Sequence, residues 1–559
     1  MPDPTHETSS QPAKATSDRR RVLGAAGLIS ALIMASRVLG VVRDALMART
    51  LGHNWLSDTF QLSFEIPNLA RRVLGEGSLS AFIVPVFTRK RTQEGEAAGW
   101  RFASNALVTM AVYTGILTVV CWLLAPAIFS LFGGYALSHR VEGETADAVA
   151  ALEPGAVVIV AEQVITEGTR LVRIMVPTVM LLCIAAMIMG LLHTVGRFFT
   201  PALGGVVLNV CMIAVCLWCW GWDKEAIVTP LAWATVIAVG IRILVMIPHL
   251  LAAGWRPRLI FQPRSDAMRS LYGLMIPATA GMGIQHINIL VNRTLGALLG
   301  SGTVTALTFS NRLALFPQAL IANALQVAML PTLTKRLEEG NLDALRATLN
   351  MVVRLALLLF LPATVGLMVL ARPITATLFE GGLFDAEGTR ETAWALMFYA
   401  LGLTPAALLQ IITPLYYAQH DTRTPLRAGA ISVVCNLLLN LSLMWTPLGL
   451  GGLALSASIA SAINLWLLVR WLKIDLHGVV DRPLLRLLAE ASLLSAAMGA
   501  VSGGGWLWMA PHFEMASWSL RAGMTVGLIV AGGAVYALGA KLLRVREMDE
   551  ALRVILRRR

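Results

Sequence analysis

The chain has 559 residues, of which 56% are hydrophobic and 14% charged, with a net charge of +12 and a mean hydropathy of +0.69. A soluble domain carries about 25% charged residues, so a chain this poor in charge cannot cover a water-facing surface. Its Lys and Arg sit in short connections between apolar runs, so membrane orientation accounts for the basic balance and nucleic acid does not.

Residues 1–21 are polar and end in Arg19-Arg20-Arg21; they read as a disordered cytoplasmic tail. The apolar run Val22 to Ala35 that follows has the outline of a secretory leader. Cleavage there would leave the polar segment Arg37 to Arg49 as a terminus, and the charges in that segment argue for a retained first span. Apolar runs of about 20 residues then recur to the far end, each long enough to cross a bilayer as a helix. Hydrocarbon offers backbone groups no water to bond, which excludes open sheets, and the ten-residue alternation of a barrel is absent. The predicted fold class is an all-α integral membrane protein of about 14 spans. Their cores fall at 23–48, 57–88, 102–131, 168–194, 199–221, 226–252, 270–299, 303–333, 348–371, 391–417, 426–446, 450–472, 484–510 and 522–541.

Alternate connections differ in charge. One set carries Arg89, Lys90 and Arg91, then Arg256, Arg258 and Arg264, then Lys335 and Arg336, then Lys473, Arg482 and Arg486. The other set is acidic, above all the third connection, Tyr135 to Thr166, with Glu142, Glu144, Asp147, Glu153 and Glu162. Both termini are therefore predicted in the cytoplasm, with an even number of spans. Six cysteines lie inside apolar runs and read as small buried hydrophobes.

Short motifs repeat in order. Arg49-Thr50-Leu51-Gly52 returns as Arg293-Thr294-Leu295-Gly296. Pro67 matches Pro317, Val84-Pro85 resembles Leu330-Pro331, Pro177 matches Pro405, and Thr200-Pro201 matches Thr424-Pro425. The series predicts two homologous six-helix lobes in parallel repeat, residues 22–253 and 254–474, with two added helices in 475–543 and a basic tail at 544–559.

Charge at bilayer depth carries the functional reading. Arg37 lies mid-way along the first span, with Arg43 and Asp44 about 9–10 Å further on. Arg71, Arg72 and Glu76 lie within the second span and Arg312 within the eighth. Each such charge costs about 2.5–3.5 kcal/mol on insertion scales, so these arginines must face protein or a wet cavity. Arg72 and Glu76 stand one helical turn apart, a pair with an ordinary structural reading. Asp44, Asp58 and Glu76 are too few to neutralise five arginines, and a guanidinium fork fits phosphate oxygens. The reading is an anion-binding cavity. Pro67, Asn68, Gly75 and Gly77 in the second span, and Pro317 and Pro331 in the eighth, predict interrupted helices near it. Polar side chains at Asn288 in the seventh span and at Asn436 and Asn440 in the eleventh fit either an ion site or bonds between helices. No nucleotide-binding, metalloprotease or hydrolase motif is present, and no metal or cofactor is expected, which leaves an ion gradient or the membrane potential as the energy source.

The run Ser36-Arg37-Val38-Leu39-Gly40-Val41-Val42-Arg43-Asp44, then Asp58, then Pro67-Asn68-Leu69-Ala70-Arg71-Arg72-Val73-Leu74-Gly75-Glu76-Gly77 resembles the MurJ/MviN lipid II flippases. So do Asn311-Arg312-Leu313, Leu378-Phe379-Glu380-Gly381-Gly382 and Asp421-Thr422-Arg423-Thr424-Pro425. The resemblance implies a fold of the multidrug/oligosaccharidyl-lipid/polysaccharide exporter superfamily in the bacterial inner membrane. It implies that Arg37, Arg43, Arg71 and Arg312 hold the diphosphate of lipid II, that Asp58 and Glu76 are needed, and that Ser36, Asp44, Asn68, Arg72 and Pro317 support or gate the site. Membrane lipids and other cell-wall synthesis proteins are the implied partners. Many relatives carry an acid where this chain has Asn311, which leaves Arg312 one local partner fewer. The alternatives are a flippase for another undecaprenyl-diphosphate-linked glycan and a drug/cation antiporter; the latter would need carboxylates, not arginines, to dominate the cavity.

Overall fold

The computed structural model describes residues 11–70, 72, 78–140, 155–419, 421–472, 482–545 and 547–548. Among them regular structure is helical, apart from one isolated bridge between Gly381 and Phe384. Seventeen helices carry the architecture. They are α1 (Gln11–Leu51), α2 (Trp55–Ala70), α3 (Ser78–Glu94), α4 (Glu96–Leu123), α5 (Gly155–Met175) and α6 (Pro177–Thr194). Then come α7 (Gly204–Trp218), α8 (Lys224–Leu251), α9 (Asp266–Ala297), α10 (Thr303–Glu338), α11 (Leu342–Val369) and α12 (Ala386–Leu401). Last are α13 (Leu403–Ala418), α14 (Arg423–Leu443), α15 (Leu450–Trp471), α16 (Arg482–Glu514) and α17 (Trp518–Leu542).

Nine of the described helical stretches are long and apolar enough to cross a membrane, and α12 with α13, bent by 43°, make a tenth. These match ten of the predicted segments. The other four predicted segments fall on α1, α2 with α3, α9 and α10, which hold the charged and polar side chains. The apolar stripes behave as lipid-facing surface should. On α4, Val112, Ile116, Leu117 and Val120 are exposed, while Trp100, Ala103, Ala106 and Met110 are buried against Met187 and Leu191 of α6. Membrane solvent inverts the usual rule, so an exposed leucine here is satisfied by lipid tails.

The repeated motifs fall at corresponding places. Arg49-Thr50-Leu51-Gly52 closes α1, and Arg293-Thr294-Leu295-Gly296 closes α9. Pro177 opens α6 and Pro405 sits in the first turn of α13, each the second piece of a broken span. Proline there lacks only a donor that the start of a helix leaves free anyway.

Three expectations change. α1 begins at Gln11, inside the stretch 1–21 expected to be disordered, because Gln11 to Asp18 contains no helix breaker after Pro12. The third connection is shorter than Tyr135–Thr166: residues 135–140 are helical and α5 starts at Gly155 on the apolar run Ala156 to Ala161. α10 runs unbroken through Pro317 and Pro331, so neither proline interrupts it. A membrane helix with neighbours on several sides tolerates the lost hydrogen bond.

Candidate functional site

Helices α1, α2, α7, α9 and α10 converge on a cavity of about 500 Å³. Arg37, Arg43 and Asp44 of α1 line it, with Arg72, Arg293 of α9 and Arg312 of α10. The close approach of α1 and α7 needs small residues. A Cβ on Gly205 would stand 2.4 Å from Ser36 Oγ, so glycine there lets the helices meet.

Asp44 is the hub. It is 4% exposed, and its Oδ1 accepts from Arg43 Nε at 3.0 Å and Nη2 at 2.8 Å, and also from Arg312 Nη1. Arg43 Nη1 donates to Asn209 Oδ1 at 2.9 Å, and Asn209 Nδ2 donates to the Ser36 carbonyl at 2.7 Å, which ties α7 to α1. The acid missing at Asn311 is thus supplied to Arg312 from another helix. Asn311 itself lines the cavity.

A second carboxylate, Glu65 of α2, lies behind the wall. It is 3.3 Å from Arg293 Nη1 and 3.9 Å from Arg72 Nη1, and it accepts from Asn68 Nδ2 at 3.2 Å. Arg37 is exposed to the cavity and makes no ion pair among the described residues. Around the described cavity five guanidiniums therefore face two carboxylates, an excess of three positive charges. Low dielectric makes uncompensated charge costly, and an anion in the cavity would relieve it.

The sequence placed Arg37, Arg43, Arg72, Arg312, Asp44, Ser36 and Asn68 at this site, and the structure brings them together. Arg71 and Glu76 lie outside the described residues, as does the expected Arg72–Glu76 pair; the acid described beside Arg72 is Glu65. Pro317 stands one residue past the lining Phe316. Glu65, Arg293 and Asn209 were missed as cavity residues. Glu65 is a carboxylate at depth and was open to the argument used for the arginines.

Asp58 does not reach the arginines. It is fully buried at the start of α2, where Oδ2 accepts from Gly302 N–H at 2.7 Å and Oδ1 from Thr305 N–H at 2.8 Å and Thr305 Oγ1 at 2.6 Å. A carboxylate from one half of the chain thus caps the first turn of α10 in the other half. The same end of the cavity is fastened elsewhere. Leu383 N–H donates to the Arg49 carbonyl at 2.9 Å, and Arg49 Nη2 donates to the Thr377 carbonyl at 3.2 Å. His53 Nε2 stands 3.2 Å from Glu391 Oε2, and Gly302, at φ +88°, and Gly388 leave no room for a Cβ beside the His53 ring. His53 lies between α1 and α2. Burial opposes its charge, but Glu391, helped by Asp58 and Asp385, outweighs burial and raises its pKa above the ordinary 6.5.

The asparagines of the possible ion site bond one another. Asn440 Nδ2 donates to Asn436 Oδ1 at 3.0 Å and to Asn292 Oδ1, joining α14 to α9. The Asn288 side chain lies outside the described residues.

Apolar helices packed around a basic chamber that is closed at one end define a polytopic membrane transporter. Sequence comparison makes the class specific. The model of the family "Lipid II flippase MurJ" matches residues 47–522, and the chain belongs to that family. A "Probable lipid II flippase MurJ" of Vibrio cholerae serotype O1 is 31% identical over 535 residues, covering 95% of this chain and 98% of its own. A "Lipid II flippase MurJ" of Burkholderia cenocepacia is 30% identical over 445 residues, covering 79% and 81%. Among solved structures, "Lipid II flippase MurJ, inward closed conformation" has the same fold at a TM-score of 0.72 and 21% identity, over 92% of this chain and 98% of that one. An inward-facing multidrug transporter of the MATE family shares the fold at a TM-score of 0.62 and 14% identity, over 79% and 95%.

Proposed function

We propose that this protein carries lipid II from the cytoplasmic to the periplasmic leaflet of the bacterial inner membrane by alternating access. The observation that carries this reading is the excess of three guanidinium charges around one cavity among the described residues. A diphosphate brings about two negative charges and oxygens that accept in pairs from Arg37, Arg43 and Arg312. The sugar–peptide head needs a wet path, while the prenyl chain stays in the bilayer along α16 and α17. The two six-helix lobes, 22–253 and 254–474, rock about the cavity within a frame of 14 spans, with both termini in the cytoplasm. The Asp58 and His53 contacts then lie on the periplasmic side and hold it shut while the cavity faces inward. Without a nucleotide site, the stroke is driven by the membrane potential or an ion gradient.

The test is complementation in a strain depleted of its own flippase, with leaflet-resolved labelling of the lipid precursor. Arg37→Ala and Arg312→Ala are expected to make protein at normal levels and to leave the precursor in the inner leaflet. Full growth with both residues replaced would sink the diphosphate reading.

A further inference from the structure

A second cavity, of about 270 Å³, adjoins the first and shares Phe64, Asn68, Gly205 and Leu208 with it. Its charged side chain is Arg242 of α8. Arg242 lies about 27 Å along α8 from Lys224, deep within a span that is otherwise apolar. Among the described residues its Nη2 has one polar contact, the Met189 sulfur at 3.6 Å, and its Nε is buried without a hydrogen-bond partner. No carboxylate pairs with it among the described residues. A Cβ on Gly204 would stand 2.3 Å from Arg242 Nε, so the guanidinium occupies a place that only glycine leaves open.

A guanidinium at this depth with an orphaned donor and no acid is the pattern expected of a binding group, because packing does not offset its burial. The cavity is small and its walls are mostly apolar, from Leu182, Met189, Ala238 and Val239. That shape fits the end of a short chain carrying one acid, and a single planar fork matches one carboxylate. We propose that Arg242 and this side cavity form a second anion subsite, which takes a carboxylate of the substrate's head group while the main cavity holds the diphosphate. This deepens the proposed function and rests on it. The subsite reads the peptide end of the head, so it gives the transporter a preference among lipids that all carry the same diphosphate.

The experiment measures the affinity of the purified full-length protein, in detergent, for three ligands. They are the prenyl-diphosphate disaccharide with free peptide carboxylates, the same lipid with those carboxylates amidated, and prenyl diphosphate alone. Wild type is expected to bind the free acid roughly tenfold more tightly than the amide. Arg242→Gln removes that preference and leaves the other two affinities unchanged, and Arg242→Lys restores part of it. Gly204→Ala, which displaces the guanidinium and keeps its charge, produces the same selective loss and serves if Arg242→Gln fails to fold. Equal weakening of all three ligands, or no change in any, overturns the subsite. Wild type that binds none of the three overturns the lipid reading itself.

Discussion

In an Asp44→Asn variant the hub loses its charge and keeps its shape. Asp44 Oδ1 now takes two donors from Arg43 and one from Arg312, with the three side chains 6%, 11% and 27% exposed. Breaking a buried ion pair on one side costs about 3–5 kcal/mol. The cavity admits solvent to Arg312, so the lower end, about 3 kcal/mol, applies, and the melting temperature is expected to fall by a few degrees. Anion binding moves the other way. The positive excess among the described cavity residues rises by one charge, and a phosphate held by Arg43 and Arg312, as proposed, would lie about 7 Å from the lost carboxylate. At an effective dielectric constant of 20 that charge is worth about 2 kcal/mol, or roughly thirtyfold in affinity. The assays are thermal unfolding in detergent and binding of prenyl diphosphate by the same preparation. A variant with an unchanged melting temperature and weaker diphosphate binding would refute the role given to Asp44.

Asp58→Ala removes the cap of α10, an expected loss of about 1–2 kcal/mol; a thiol placed by Ser301→Cys should then react faster with an impermeant reagent added from outside, and an unchanged rate would argue against the cap as a latch. The His53–Glu391 contact should be pH-dependent. Because the pKa of His53 is raised in the closed arrangement, its stabilisation is complete below about 6.5 and is lost as pH rises through the raised value. Relative to a fully exposed control thiol, which removes the rise in thiolate with pH, the same thiol should therefore label faster at alkaline pH, and His53→Asn should flatten that ratio; a flat wild-type ratio contradicts the pairing. Glu65→Gln leaves Arg72 and Arg293 without their carboxylate, so folding yield should drop by an amount corresponding to about 3 kcal/mol; a normal yield and melting curve would show that the cavity solvates both arginines.

Apolar run length made the membrane fold legible, since nothing but a helix satisfies its own backbone in lipid. The cavity was half legible. Arg37, Arg43 and Arg312 stood out because each breaks an apolar run, and counting acids showed that charge remained over. The partners did not stand out. Asn209 is one amide in an apolar helix, and only its contact with Arg43 gives it meaning. Arg242 obeys the logic that found Arg37, yet it lies in a span with no other charge at depth and no motif around it. By charge alone, Asp58 fits as a partner for arginine. Its real partners are backbone N–H groups at Gly302 and Thr305, which no residue pattern announces.

The cap on α10 has a consequence for the way that end of the molecule can part. Gly302 and Thr305 would lose their acceptors as Asp58 withdraws, and the carboxylate would lose its donors. Dry separation strands all of them at once, so the seam must wet as it opens. In the proposed alternating-access cycle, water arriving there would be a structural component of the outward-open form, and the rate of that transition would be tied to hydration of a few buried atoms as much as to the swing of whole helices.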